Sequence, residues 1–405
     1  MRSSRSIQPG AVDLPAGRVM ANRPPVTVLH LISRLPPGGV ENQLRKVVRL
    51  YDRRRFRPIV CCLKEKGEVG EAIERDGTPV VVLNRMQGHP FDVRLVFLLR
   101  RLMKEHRVTI VRTHQFHANL YGRIAAIWAG VPILLPSFHN TYARRKRHRS
   151  LLNWLLARWT DRLITVSEAV KRDLVRYDHL PEGKIKVVHN GCDIDRFMKP
   201  SLKNDLRAAW KIPSDAPVIG TVGRLAKEKG QTILIQAVSL LRSDFPNLRI
   251  LLVGEGPERE TLEKEAARLG LGDRVLFTGL QREIPAFLAL MDLFAFPSLN
   301  EGFPNALLEA MAAGKPVIAS DIPENAEILS SEKIGLRVPP NDAKTLAEQI
   351  RFLLKSPDEA RAMGKRAQEW VASRFTDTKM MEEIQGLYKS LLLEKKIWRD
   401  EDGEA

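Results

Sequence analysis

The sequence has only three cysteines in 405 residues, and two of them, Cys61 and Cys62, are adjacent. Three cysteines cannot all pair, no Cys-x-x-Cys occurs, and no Cys/His cluster has zinc-ligand spacing. This points to a reducing compartment and gives no reason to expect a structural metal. No apolar run approaches the ~20 residues needed to span a bilayer. Residues 1–25 carry Arg2, Arg5, Arg18 and Arg23 but no apolar stretch of signal-peptide length. Their Ser, Pro and Gly content predicts a disordered N-terminal extension. Acidic side chains are scarce in one half of the chain. Residues 1–200 carry 37 basic and 17 acidic side chains, and residues 201–405 carry 28 and 31. The cationic half is expected to face something anionic: a lipid surface, a nucleic acid or a charged substrate. Against nucleic acid, the sequence has no helix-turn-helix, zinc or RNA-binding signature and no aromatic/basic interleaving.

Short β-branched runs do occur, each followed by a helix-length segment. The first half gives Val26–Ile32, Ile59–Leu63, Val80–Leu83, Thr109–Arg112, Ile133–Phe138, Leu163–Val166 and Ile185–His189. The second gives Val218–Val222, Ile250–Val253, Val275–Phe277, Leu293–Phe296 and Val317–Ala319. Near-continuous apolar strands separated by helices predict parallel sheets covered on both faces. At roughly 100–200 residues per domain, the length suits two such units. Pro200, Pro213 and Pro217 frame the join. The expected layout is a disordered extension at 1–25, an N-terminal domain at 26–200 and a C-terminal domain at 201–376. A C-terminal helix and tail at 377–405 is expected to pack back on the N-terminal domain.

Ligands of open α/β sheets bind beyond the carboxyl ends of the strands. Gly38-Gly39 follows the first strand and opens a helix, where backbone can approach an anion closely or simply turn. His114 and His117 follow the fourth strand, and His139 and Asn140 the fifth. The histidines could share a pocket for proton transfer, cap strand ends, or, as a His-x-x-His pair, ligate a metal. In the second half, Gly220–Gly230 puts Arg224 and Lys229 after Gly223 and before a helix, a cationic site suited to a diphosphate. Glu301, Gly302 and Pro304 begin the segment SLNEGFPNALLEAMAA. Glu309 then lies about a turn and a half into the helix, at most ~12 Å further on. The run Arg144, Arg145, Lys146, Arg147, His148, Arg149 precedes Leu151–Trp159. A basic patch beside Trp and Leu suits an anionic lipid surface, and Arg53-Arg54-Arg55 could extend the same face.

Together these residues resemble the retaining GT-B glycosyltransferases, specifically the glycosyltransferase family 4-like (group 1) enzymes. The resemblance covers roughly residues 26–390. It rests on Gly38-Gly39, the Arg224/Lys229 pair, Glu301 and Glu309 in Glu-x7-Glu spacing, and the segments VSEAVKRDL, VVHNGCDIDRF and PSLNEGFPNALLEAMAAGKPVIASD. It implies an α/β fold of two doubly wound Rossmann-like domains facing a cleft. The implied activity is metal-independent, cofactor-free transfer of a sugar from a nucleotide diphosphate to a hydroxyl of a glycan or lipid-linked acceptor. The donor would be a UDP-sugar, or alternatively a GDP-sugar.

Carried onto this sequence, the resemblance implies Arg224 and Lys229 at the diphosphate and Glu309 at the ribose. Glu301 would hold the donor sugar, with backbone of Gly302, Phe303 and Pro304. Gly38, Gly39 and Gly223 would line the donor site, Leu280 and Ile284 would flank the base, and His139 would lie near the reacting centre. His114, His117 and Asn140 are acceptor-side candidates, and Arg144, Arg145, Lys146, Arg147 and Arg149 membrane-contact candidates. The expected enzyme is cytoplasmic and peripheral to an anionic membrane. A nucleotide-sugar epimerase of similar fold, or a basic nucleic-acid-binding protein, is the alternative. One segment departs from the pattern: Asp321–Asn325 lacks the glycines many relatives carry.

Overall fold

The computed structural model describes residues 24–86, 92–141, 147–199 and 206–399. The first sheet has seven strands: β1 (Val26–Ile32), β2 (Phe56–Cys62), β3 (Val80–Val82), β4 (Ile110–His114), β5 (Ile133–Phe138), β6 (Leu163–Thr165) and β7 (Ile185–Val187), in the order β3-β2-β1-β4-β5-β6-β7. The second has six: β8 (Val218–Val222), β9 (Arg249–Val253), β10 (Val275–Gly279), β11 (Leu293–Phe296), β12 (Val317–Ser320) and β13 (Leu336–Val338), in the order β10-β9-β8-β11-β12-β13. Neighbouring strands are parallel in both sheets. The first strand of the sheet is a run of β-branched and leucine residues around His30, and every one of its residues is buried, as a strand covered on both faces must be.

Strand order reverses between β1 and β4 in the first sheet and between β8 and β11 in the second. At such a reversal the helices leave toward opposite faces and open a crevice beyond the strand ends. The two reversals therefore fix which loops can hold a ligand. β13 and the helix Pro323–Ile328 that precedes it were not anticipated. A three-residue strand gives too short a pattern to be read locally.

The helix Asp377–Glu394 leaves the second lobe and returns to the first. It buries Met380, Met381, Ile384, Tyr388, Leu391 and Leu392 in the core that also holds Val26, Phe56 and Val60. At about 1.5–3 kcal/mol per large apolar side chain buried, this helix is an integral layer of the N-terminal lobe. The expected domain boundary at 200/201 lies outside the described residues, as do the extension up to residue 23 and the tail from residue 400. Among the described residues, no helix is long and apolar enough to cross a membrane.

The arginine triplet 53–55 precedes β2, at the amino ends of the parallel strands; most of the basic run after β5, with which it was expected to share a face, lies outside the described residues. Arg53 donates to the Val48 carbonyl and Thr78, and Arg54 and Arg55 pair with Asp52.

Candidate active site

β8 ends at Val222, and the chain turns through Gly223, Arg224 and a 3-10 turn, Lys227–Lys229, into the helix Gln231–Ser239. Gly230 joins turn and helix at φ +65°, where a Cβ would lie 2.1 Å from the Pro297 carbonyl oxygen. Only glycine lets this loop sit under the loop that follows β11. The packing joins the two loops chemically. Lys229 Nζ donates to Glu301 Oε1 at 2.6 Å, and the buried Ser298 hydroxyl donates to the same oxygen at 2.6 Å. Ser320 in turn donates to the Ser298 carbonyl. Glu301 is buried, yet Oε2 has no partner among the described residues. Arg224 is exposed, and its guanidinium likewise has none there. One cation is thus clamped to a carboxylate and the other is open.

Gly302 packs directly against the first lobe. A Cβ there would lie 1.7 Å from the His139 carbonyl oxygen. Around it, Ser167 Oγ donates to the Gly302 carbonyl at 2.8 Å. Thr141 Oγ1 accepts from Asn300 Nδ2 and lies 2.9 Å from the Glu301 carbonyl and 3.1 Å from Glu324 Oε1. Glu324 and Asn325, in the segment that lacks the usual glycines, are both buried here. Burial raises the Glu324 carboxyl above its usual range. The Phe303 side chain turns into the core, its ring 6.0 Å from Phe375, so only its backbone faces the loop's other side.

Two helices start across the cleft from each other without side-chain caps: Gly39–Arg49 in the first lobe and Asn305–Ala312 in the second. The positive end of each helix dipole is left for an anion, although the Asn305 N–H is already bonded to the Phe303 carbonyl and the Glu41 carboxyl accepts its own N–H. Asn305 ties the two together, its Oδ1 accepting from Gln43 Nε2 at 3.3 Å and Asn190 Nδ2 at 3.0 Å. Beside Gly39, the buried Glu41 accepts from Gln115 Nε2 at 2.9 Å, and burial raises its carboxyl. Gln115 has φ +69° and ψ 163°. That is strained backbone for a residue with a Cβ, of the kind found at ligand sites.

Glu309 sits further along its helix. It is half-buried, and its carboxyl lies deep enough among protein atoms that burial pushes it up to about 7. Lys46 and Arg196 oppose the shift and Asp377 adds to it. The carboxyl has no hydrogen-bond partner among the described residues. Leu280 is exposed after β10, and Ile284 opens the next helix. Next to them, Arg196 Nη2 donates to the Arg282 carbonyl at 3.0 Å.

The histidines divide. His114 Nδ1 meets His139 Nε2 at 2.9 Å, and His114 Nε2 meets His30 Nδ1 at 3.1 Å. With both ring nitrogens engaged, His114 neither caps a strand end nor ligates a metal. His117 stands apart, its ring edge-on to Phe116 at 5.4 Å. Burial pushes His139 down to about 3, with the nearby Arg112 cation adding to the effect. Asn140 is exposed, with its Cα close to Gly302. Arg144, Arg145 and Lys146, and the side chain of Arg147, lie outside the described residues. Arg149 is not a free surface cation: its guanidinium stacks over the Phe116 ring at 4.1 Å.

Several residues that shape the cleft escaped the sequence reading: His30, Glu41, Gln43, Gln115, Thr141, Ser298, Asn305 and Glu324. Ser298 and Asn305 lie inside the quoted segment SLNEGFPNALLEAMAA and Glu324 inside Asp321–Asn325, but nothing in their residue type marked them. The others come together only through the fold.

Two facing Rossmann-like lobes, with their ligand loops at opposed strand-order reversals, define the GT-B glycosyltransferase fold. Residues 37–196 match Glycosyltransferase Family 4, and residues 203–370 match Glycosyl transferases group 1. The chain is 30% identical over 373 residues to a GDP-mannose-dependent alpha-(1-6)-phosphatidylinositol monomannoside mannosyltransferase of Mycobacterium tuberculosis, covering 86% of this chain and 94% of that protein. It is 28% identical over 316 residues to the Escherichia coli UDP-Gal:alpha-D-GlcNAc-diphosphoundecaprenol alpha-1,3-galactosyltransferase, covering 75% of this chain and 81% of that protein. Among solved structures, Anabaena Alr3699/HepE in complex with UDP-glucose superposes with a TM-score of 0.80 at 26% identity, over 90% of this chain and 99% of that one. The chain belongs to the group 1 glycosyltransferases of GT4 type and is a hexosyltransferase. These matches do not favour the epimerase and nucleic-acid-binding alternatives.

Proposed function

We propose that this enzyme moves a sugar from a nucleotide diphosphate to a hydroxyl of a glycan or lipid-linked acceptor, with retention at the anomeric carbon and without a metal. The observation that carries the reading is the junction at Glu301. One carboxylate oxygen is held by Lys229 and Ser298, while the other, and Arg224 in the loop that carries Lys229, have no partner among the described residues. The free oxygen suits a donor-sugar hydroxyl. Arg224, Lys229 and the two uncapped helix starts suit the diphosphate, whose developing charge they would stabilise as it leaves. Gly38, Gly39 and Gly223 let backbone approach it, and backbone of Gly302, Phe303 and Pro304 adds donors for the sugar. Glu309, with no hydrogen-bond partner among the described residues, suits the ribose hydroxyls, and Leu280 and Ile284 the base. If the acceptor attacks from the leaving-group face, the departing phosphate takes its proton. No protein base is then needed, which fits a cleft whose histidines are kept neutral by burial.

The mannosyltransferase relative is named for GDP-mannose and the galactosyltransferase for UDP-Gal, so both bases belong in the test. UDP-sugars remain the first choice, on the likeness to the UDP-glucose complex. Both relatives' names include lipid-linked acceptors, which supports an acceptor held at a membrane. So does the outer face of the first lobe. Phe97, Trp128, Trp154 and Trp159 are exposed on neighbouring helical segments, and the Arg100 guanidinium stacks on the Trp128 ring at 4.4 Å. Apolar rings among cations suit an anionic lipid surface, on the cytoplasmic side if the donor is a cytoplasmic nucleotide sugar.

The test is a panel of UDP- and GDP-sugars assayed for binding and transfer with wild type, Glu301→Ala and Lys229→Ala. Both variants are expected to fold and to lose transfer, with the wild-type product keeping the donor's anomeric configuration. Full activity in either variant, or an inverted product, refutes the reading.

A further inference from the structure

His139 is the cleft end of a chain of five rings that runs through the N-terminal lobe. His139 Nε2 meets His114 Nδ1 at 2.9 Å, and His114 Nε2 meets His30 Nδ1 at 3.1 Å. His30 Nε2 meets Tyr51 Oη at 2.9 Å, and Tyr51 Oη meets Tyr388 Oη at 2.9 Å. The histidines follow one another because β1, β4 and β5 are adjacent in the sheet, and their rings lie 5.1–5.4 Å apart, centroid to centroid. Tyr51 follows the helix Gly39–Arg49, and Tyr388 lies in Asp377–Glu394. Apart from His139 every ring in the chain is buried, with Tyr388 and His30 completely so.

Each neutral imidazole has one N–H and one bare nitrogen, and each phenol has one hydrogen. The three bonds from His139 to Tyr51 must therefore share one direction, and Tyr51, with a single hydrogen, can donate to only one of His30 and Tyr388. If the three run from His139 toward Tyr51, one phenol hydrogen, on Tyr51 or on Tyr388, is buried with no acceptor among the described residues. A buried donor without an acceptor is the costly outcome. If all four bonds run from Tyr388 toward His139, every hydrogen along the chain is used. Tyr51 then accepts from Tyr388, keeps its second lone pair toward the adjacent Arg112 guanidinium and donates to His30. The proton of His139 is left on Nδ1, which has no partner among the described residues. Burial and the Arg112 cation oppose adding a second proton to any of the three rings.

We propose that this chain fixes His139 as its Nδ1–H tautomer, a hydrogen-bond donor and not a base, with His114, His30 and Tyr51 as positioning residues. The assignment rests on the reading that His139 lies in the transfer cleft, and it specifies what His139 can do there. It can donate to an oxygen of the bound donor or acceptor. It cannot take the acceptor's proton without reversing the three bonds from His139 to Tyr51, which leaves a phenol hydrogen buried without an acceptor.

The test is a long-range 1H–15N correlation spectrum of the full chain labelled at histidine, near pH 7, with His139 assigned by its absence from His139→Gln. The expected result is a protonated Nδ1 and a bare Nε2. A protonated Nε2, or averaged shifts, overturns the proposal. His114→Phe removes the neighbour that supplies the hydrogen to Nε2. Its His139 signals are expected to move away from the pure Nδ1–H position. kcat should fall at least about twofold, the loss for an even mixture of tautomers, with the donor KM little changed. Unchanged His139 signals in that variant also overturn it. If His114→Phe does not fold, Tyr51→Phe, which removes the hydrogen supplied to His30, is read the same way. The spectrum needs no substrate, so it is independent of the cleft reading: a pure Nδ1–H with a fully active His139→Gln would sink that reading and leave the tautomer assignment standing.

Discussion

Replacing Glu309 with glutamine is expected to stabilise the free protein and weaken its grip on the donor. Burial raises the Glu309 carboxyl from 4.5 to about 7 in the folded chain. The folded value lies above the unfolded one, so the protonated form is the one the fold prefers. Its stabilising contribution is full below about pH 4.5 and is lost as pH rises through about 7. At about 1.4 kcal/mol per unit, holding Glu309 ionised above pH 7 costs about 3.5 kcal/mol of folding free energy. Glutamine resembles the protonated acid and avoids that cost. Urea unfolding of wild type and Glu309→Gln at a series of pH values checks this. The curves should nearly coincide below about pH 4 and separate up to pH 7–8, where the variant is more stable by up to ~3.5 kcal/mol. Relaxation around the charge makes this an upper figure. In the same variant, calorimetric titration with the nucleotide sugar should give weaker binding, because a carboxylate accepts hydroxyl hydrogen bonds more strongly than an amide. A group kept at a stability cost for binding shows both effects. A stability difference independent of pH would refute the burial argument. Unchanged donor affinity would refute the ribose role.

Gly302→Ala puts a methyl where the His139 carbonyl oxygen lies 1.7 Å from the Cβ position. Backbone must move, which is expected to cost about 1–3 kcal/mol and most of the transfer activity, and a wild-type melting temperature with wild-type kcat would contradict the contact. A Phe97→Ser/Trp128→Ser double variant on the outer face and, separately, a variant neutralised at Arg144–Arg147 are each expected to sediment less with anionic liposomes than wild type. Added salt should weaken wild-type binding, and equal sedimentation of all three proteins would remove the membrane face.

The sequence by itself determined the layering. Runs such as Val26–Ile32, Ile133–Phe138, Val218–Val222 and Leu293–Phe296 match their strands residue for residue, because a strand covered on both faces must be apolar almost throughout. The loops that carry Arg224, Lys229 and Glu301 were also legible, since glycines and charges at strand ends are local signals. Only the tertiary structure decided which of these loops meet. Glu301 is joined to Lys229, 72 residues away in sequence, because β8 and β11 are neighbours in the sheet, and strand order leaves no local trace. The same holds for His30, a polar residue inside an apolar strand with nothing around it to suggest a partner 84 residues away. Nor could the sequence separate His114, locked between two rings, from His117, three residues on and outside the chain of rings. A side chain's chemistry is fixed by its type, but its protonation and partners are fixed by what the fold packs against it.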